Sequence, residues 1–106
     1  MTLEGPFPLS RIPDVVGGPG VYVLSSNGSN ADYVGRSDSD LRSRLGASAA
    51  EGPYSHFWVR AENSARAAFL AECELYHRYD PPDNVVYPAV PAGTNWLCPV
   101  LGCEWE

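Results

Sequence analysis

The densest apolar block in the chain is Val21-Tyr-Val-Leu, closed by Ser25; its β-branched and aromatic residues predict a strand. Tyr22 and Leu24 fall on one face, Val21 and Val23 on the other. Apolar side chains on both faces predict a central strand covered on both sides. Asn27-Gly28 follows, the strongest short hairpin signal, because both residues tolerate positive φ. Ala31-Asp-Tyr-Val-Gly35 reads as the return strand. A two-residue loop at Asn27-Gly28 would pair Ser26 with Ser29 and set Tyr22 directly opposite Tyr33, with Cβ atoms about 5 Å apart on one face.

Ser37-Asp-Ser-Asp40 predicts a helix start, with Ser37 or Asp38 as cap and acids in the first turn. Leu41 and Leu45 would face inward, with Arg42 and Arg44 beside them. Ser55-His-Phe-Trp-Val-Arg60 is a further strand. Asn63 or Ser64 caps the longest helix, which runs to about His77–Tyr79, where Pro81-Pro82 stops it. At roughly 100° per residue, Ala65, Ala68, Phe69, Cys73, Leu75, Tyr76 and Tyr79 form one apolar arc. Glu72 falls near the middle of that arc, where a carboxylate is costly unless it is paired, hydrogen-bonded or bound to a cation. The order β-β-α-β-α predicts an α+β fold, a small central antiparallel three-stranded sheet flanked by helices. Residues 1–19 read as an irregular arm pinned by Leu3, Phe7, Leu9 and Ile12, residues 20–85 as the core and 86–106 as an extension that packs over the domain or onto a partner.

Composition narrows the picture. A chain of 106 residues suits one domain, and 44% hydrophobic residues can fill its core. Net charge is −6, all seven basic residues are Arg, and the balance opposes broad nucleic-acid binding. It leaves room for a local Arg cluster, and it predicts weak nucleic-acid binding by the chain on its own, or a partner that brings the substrate. The three cysteines are widely spaced, and no secretory leader precedes them, so reduced thiols in a cytoplasmic setting are expected. The spacing of Cys98 and Cys103 does not suit a zinc knuckle. No apolar run is long enough to span a bilayer, so no membrane association is expected.

Certain residues form a known pattern. Gly20-Val21-Tyr22 resembles the first half of the GIY-YIG nuclease signature, and Tyr33-Val34-Gly35 resembles the second half. Arg36 to Leu45 resembles the segment that follows, with Arg44 at the position of the catalytic Arg and Arg42 just before it. Ala71-Glu72 through Asn84 is similar to the family's second helix and its exit. The resemblance covers about residues 12–85. Some members carry a His past the Arg on the first helix; Ser48 stands near that place, and His56 is a candidate substitute.

The resemblance implies an endonuclease that hydrolyses nucleic-acid phosphodiester bonds, DNA first among substrates, one strand per event, with one Mg²⁺ or Mn²⁺ ion. It implies Tyr22 as general base, Tyr33 as positioning group, Arg44 on the phosphate, Glu72 as metal ligand and Asn84 as an orienting group. Gly35, Arg36, Arg42 and His56 are the accompanying substrate-binding candidates. Plainer readings stay open at each position. The tyrosines suit a cross-strand aromatic pair, the arginines a solvated face, and Asn84 a turn residue. Glu72 suits a buried ion pair with Arg44, and the whole fold suits an inactive binding module for a protein partner or nucleic-acid end.

Overall fold

The computed structural model describes residues 2–84 and 88–99; Cys103, Trp105 and the remainder of the predicted extension from 100 onward lie outside the described residues. The described chain forms β1 (Glu4–Pro8), a 3₁₀ turn (Leu9–Asp14), β2 (Gly20–Ser25), β3 (Tyr33–Ser37), α1 (Leu41–Ala49), β4 (His56–Ala61) and α2 (Ala65–Tyr79). The α+β class and the expected run of β2, β3, α1, β4 and α2 are present. The sheet, however, has four antiparallel strands in the order β1-β4-β2-β3, not three. The extra strand comes from the arm. Its Pro6 and Pro8 cannot donate to a ladder, yet an edge strand needs donors on one side only.

β2 is the central strand, and all six of its residues are buried. Alternation sends its side chains into two cores. Tyr22 and Leu24 join Phe57, Val59, Leu41 and Leu45, so α1 covers that face. Val21 and Val23 join Val34, Ala71 and Leu75, so α2 covers the other. A third cluster of Phe69, Cys73 and Cys98, with Trp96 against it, lays the C-terminal segment on the outer side of α2. Among the described residues, no helix is long and apolar enough to cross a membrane.

The hairpin register differs from the expected one. Tyr22 pairs with Gly35, and Leu24 pairs with Tyr33. Local side-chain bonds widen the loop. Ser25 Oγ accepts from the backbone N–H groups of Asn27 and Gly28, at 3.2 and 2.9 Å. Asn27 Oδ1 accepts from Ser29 and Asn30, at 2.8 and 3.0 Å, and the Asp32 carboxylate accepts from the Ser26 backbone at 2.8 Å. Such bonds compete with a tight turn, and here they prevail over it. A shift of two keeps every side chain on its face, so the phenols still share one side, placed diagonally with ring centroids 6.4 Å apart.

Helix starts follow cap chemistry. Asp40, rather than Ser37 or Asp38, caps α1, accepting from Ser43 N–H. Ser37 Oγ instead accepts from the Ser39 and Asp40 backbones, which turns the chain out of β3. Ser64 caps α2, accepting from Ala67 N–H at 3.0 Å, and Asp80 ends it in the left-handed region at φ 45° before Pro81.

Candidate functional site

β3 is an edge strand, and a cavity of about 310 Å³ opens along it where α1 and α2 both reach past the sheet. Its wall contains Tyr22, Tyr33, Arg44, Glu72 and Asn84, the whole predicted catalytic set. Gly35 and Arg36 also line it, with Ser37, Asp38, Pro88 and Ala89. Arg42 and His56 do not. Arg42 projects into solvent from α1. His56 lies on β4 at the hairpin-loop end, with its Nδ1 2.8 Å from Ser55 Oγ and its ring beneath Gly28. A larger cleft of about 380 Å³, lined by Leu3, Val23, Trp58 and Tyr79 among others, holds none of the predicted residues.

Tyr22 reaches the cavity from the central strand because Gly35, its neighbour on β3, has no side chain. A Cβ at position 35 would collide with the phenol's Cζ and hydroxyl oxygen. Gly35 therefore makes space for a ring and offers no contact of its own. The Tyr22 hydroxyl lies 2.6 Å from Ser48 Oγ, one turn beyond Arg44 on α1. Burial raises the Tyr22 pKa, the Ser48 bond opposes that, Tyr33 adds to it, and Arg44 opposes it; the net direction is up. Tyr33 is half-buried and also raised, by burial first and then by the negative charge of Glu72.

Glu72 faces inward from α2, as its place in the apolar arc requires, at 8% exposure. Its partner is Arg36, not Arg44: Arg36 Nη1 donates to Glu72 Oε1 at 2.6 Å. Alternation along β3 decides this. Tyr33 and Gly35 point to the α1 side with Arg44, whereas Val34 and Arg36 point to the α2 side with Glu72. Burial raises the Glu72 carboxyl above its ordinary range, and the Arg36 guanidinium opposes the rise. Arg44 is exposed and belongs to none of the ion pairs among the described residues. Of the two guanidiniums on the cavity wall it is the one outside those ion pairs, and it lies close enough to Tyr22 to favour that phenol's ionised form.

Asn84 uses its amide on the strand itself. Its Oδ1 accepts from Val34 N–H at 2.8 Å, and its Nδ2 donates to Val34 C=O at 2.9 Å. The side chain thus stands where a fifth strand's backbone would and closes the open edge of β3. The sequence marks Ser48 only as standing near the place of the absent His and Asp38 only as a cap candidate, and it gives Pro88 and Ala89 no role at the site. The four-residue spacing from Arg44 to Ser48 was the available signal for the first.

Among the described residues, no group of three or more His, Cys, Asp or Glu side chains gathers as a metal site. Glu72 is the one carboxylate both buried and on the cavity wall, with Asp38 more exposed nearby. No family model, no curated protein and no solved structure matches this chain.

Proposed function

We propose that this cavity hydrolyses phosphodiester bonds in the manner of the GIY-YIG nucleases, whose signature the chain resembles. The supporting observation is the convergence of Tyr22, Tyr33, Arg44, Glu72 and Asn84, drawn from two strands, two helices and a loop, on one hollow. That hollow is at the lower end of the roughly 300–1,000 Å³ range of ligand clefts.

The donor chemistry suits a hard cation. Glu72 is a carboxylate in a place that already accommodates positive charge, since the Arg36 guanidinium lies against it. Glu72 would hold a Mg²⁺ or Mn²⁺ ion, which when bound would supply positive charge to offset the charge developing on the phosphoryl group and the leaving 3′ oxygen. Arg44 takes the phosphate in its planar fork and holds it without any change of protonation. Tyr33 and the Tyr22 hydroxyl flank the attacking water. The water oxygen attacks phosphorus, its proton passes to the Tyr22 phenolate, and the bond to the 3′ oxygen breaks. Ser48 holds the Tyr22 hydroxyl in place through the 2.6 Å contact between their oxygens. Asn84 contributes by fixing β3, and with it Tyr33 and Gly35, rather than by touching substrate.

The binding-module reading draws on a specific observation of its own. Arg36 is fully engaged by Glu72, Asp38 and Ala89, an arrangement that also suits a purely structural ion pair. Incubation with supercoiled and branched DNA, with and without Mg²⁺ or Mn²⁺, separates the two. The hydrolase reading expects metal-dependent nicking, lost in Glu72→Gln and reduced about 10²–10³-fold in Arg44→Ala. Binding without nicking, unaltered by metal, would establish the module instead.

A further inference from the structure

The Arg36 guanidinium is held by three oxygens at once: Glu72 Oε1 at 2.6 Å, Asp38 Oδ1 at 2.9 Å and the Ala89 carbonyl at 2.6 Å. It also lies over the Phe69 ring, 5.2 Å from the centroid. Two carboxylates and a carbonyl are hard donors of the type a divalent cation selects. A buried Glu72 cannot keep a guanidinium in contact and accept a divalent ion as well, because the two cations would be forced together where screening is weak. A phosphodiester, in turn, offers Arg36 a pair of anionic oxygens that match its fork.

We propose that Arg36 is the resident counter-cation of Glu72, which keeps a divalent ion out until a phosphodiester draws the guanidinium away, so that substrate and metal bind cooperatively. The inference rests on the hydrolase reading of the same cavity. Arg36 stays charged throughout, so the exchange is a movement of the guanidinium and needs no proton transfer. Its side chain is 11% exposed and lines the same cavity as Arg44, so both guanidiniums border the space a phosphodiester would enter. Glu72 then has one cationic partner in either state, the guanidinium before substrate arrives and the metal after. The buried carboxylate is never left alone, which is the condition that burial makes costly. The coupling must be reciprocal, with metal tightening the phosphodiester by the factor that the phosphodiester tightens metal.

Mn²⁺ binding, followed by electron paramagnetic resonance with and without a cleavage-resistant phosphorothioate oligonucleotide, tests this. The wild-type protein should bind Mn²⁺ weakly alone and about tenfold or more tighter with the oligonucleotide, within the usual range of such couplings. Arg36→Gln should bind Mn²⁺ about tenfold tighter without the oligonucleotide and lose the coupling. Arg36→Lys keeps the charge and the fold but cannot hold all three oxygens, so it should fall between the two, and it carries the test if the Gln variant does not fold. Glu72→Gln should abolish Mn²⁺ binding, leaving the free-ion signal undiminished, in every background. Unchanged Mn²⁺ affinity across the Arg36 variants, or Mn²⁺ binding that survives Glu72→Gln, overturns the exchange. Nicking of supercoiled DNA, read in parallel, keeps the two readings apart. Glu72-dependent nicking with no effect of Arg36 on Mn²⁺ removes only the exchange. Coupled binding at Glu72 without nicking upholds the exchange and removes the hydrolase.

Discussion

Gly35→Ala is the smallest change that should damage both fold and site. Gly35 does not adopt a positive φ, so the backbone would accept alanine without strain. The obstacle is space: the added methyl would meet Cζ, the hydroxyl oxygen and Cε2 of Tyr22, a residue with 0% exposure. The ring has little room to retreat, because Leu24, Phe57 and Leu45 pack around it in the same core and Ser48 holds its hydroxyl. Overpacking of this kind costs about 1–3 kcal/mol. In a domain of this size, each kcal/mol lowers Tm by about 4–8 °C, so thermal denaturation should show a fall of about 4–24 °C. The cause can be isolated with a double-mutant cycle. In a Tyr22→Leu background, already destabilised by the cavity, the added methyl enters free space and should cost less than about 0.5 kcal/mol. An equal cost in both backgrounds would refute the steric account, and a cost near zero in the wild type would refute it outright.

The site makes further predictions. Asn84→Ala unpairs the outward N–H and C=O of Val34 and should cost about 1–3 kcal/mol, with faster amide exchange at Val34; Asn84→Asp should be no better, because a carboxylate cannot donate to the Val34 carbonyl. If Tyr22 is the base, burial raises its pKa and keeps the phenol predominantly protonated through neutral pH, so nicking should climb about tenfold per pH unit from about pH 6 to 9. A plateau near pH 7 would remove Tyr22 from that role. Ser48→Ala deletes the bond that lowers the Tyr22 pKa, so absorbance titration should find that phenol ionising at still higher pH. With at most Arg36 and Arg44 on phosphate, the slope of log affinity against log salt should be no steeper than about −2, and a steeper slope would require basic surface elsewhere.

Most of this arrangement was legible in the residues, and the failures have physical causes. The central strand declared itself because Val21, Tyr22, Val23 and Leu24 are apolar on both faces, and both faces are covered. Glu72 declared itself because a carboxylate in an apolar arc needs a partner. The identity of that partner was also within reach, since period-two alternation from Tyr33 places Arg36 on the opposite face from Arg44. The hairpin misled because Asn27-Gly28 suits a two-residue turn, while Ser25, Asn27 and Asp32 each offer the backbone an alternative bond. Which of two such competing local preferences prevails depends on energies too close to separate by inspection. β1 was hidden by its prolines, and its edge position is a property of the assembled sheet. The link from Asn84 to Val34 spans fifty positions and follows from no local pattern.

The charge of the cavity bears on how an acidic protein could act on the anionic substrate proposed for it. Its wall carries two guanidiniums, Arg36 and Arg44, and two carboxylates, Asp38 and Glu72. Arg36 is occupied by both carboxylates, so at rest the hollow is close to neutral, with one available cation at its rim. A net charge of −6 elsewhere gives no long-range attraction for a polyanion. Capture therefore depends on short-range geometry, on Arg44 meeting a phosphate already delivered near β3. On the proposed hydrolase reading, a neutral hollow in an acidic domain would favour substrate delivered by a partner over substrate found by diffusion.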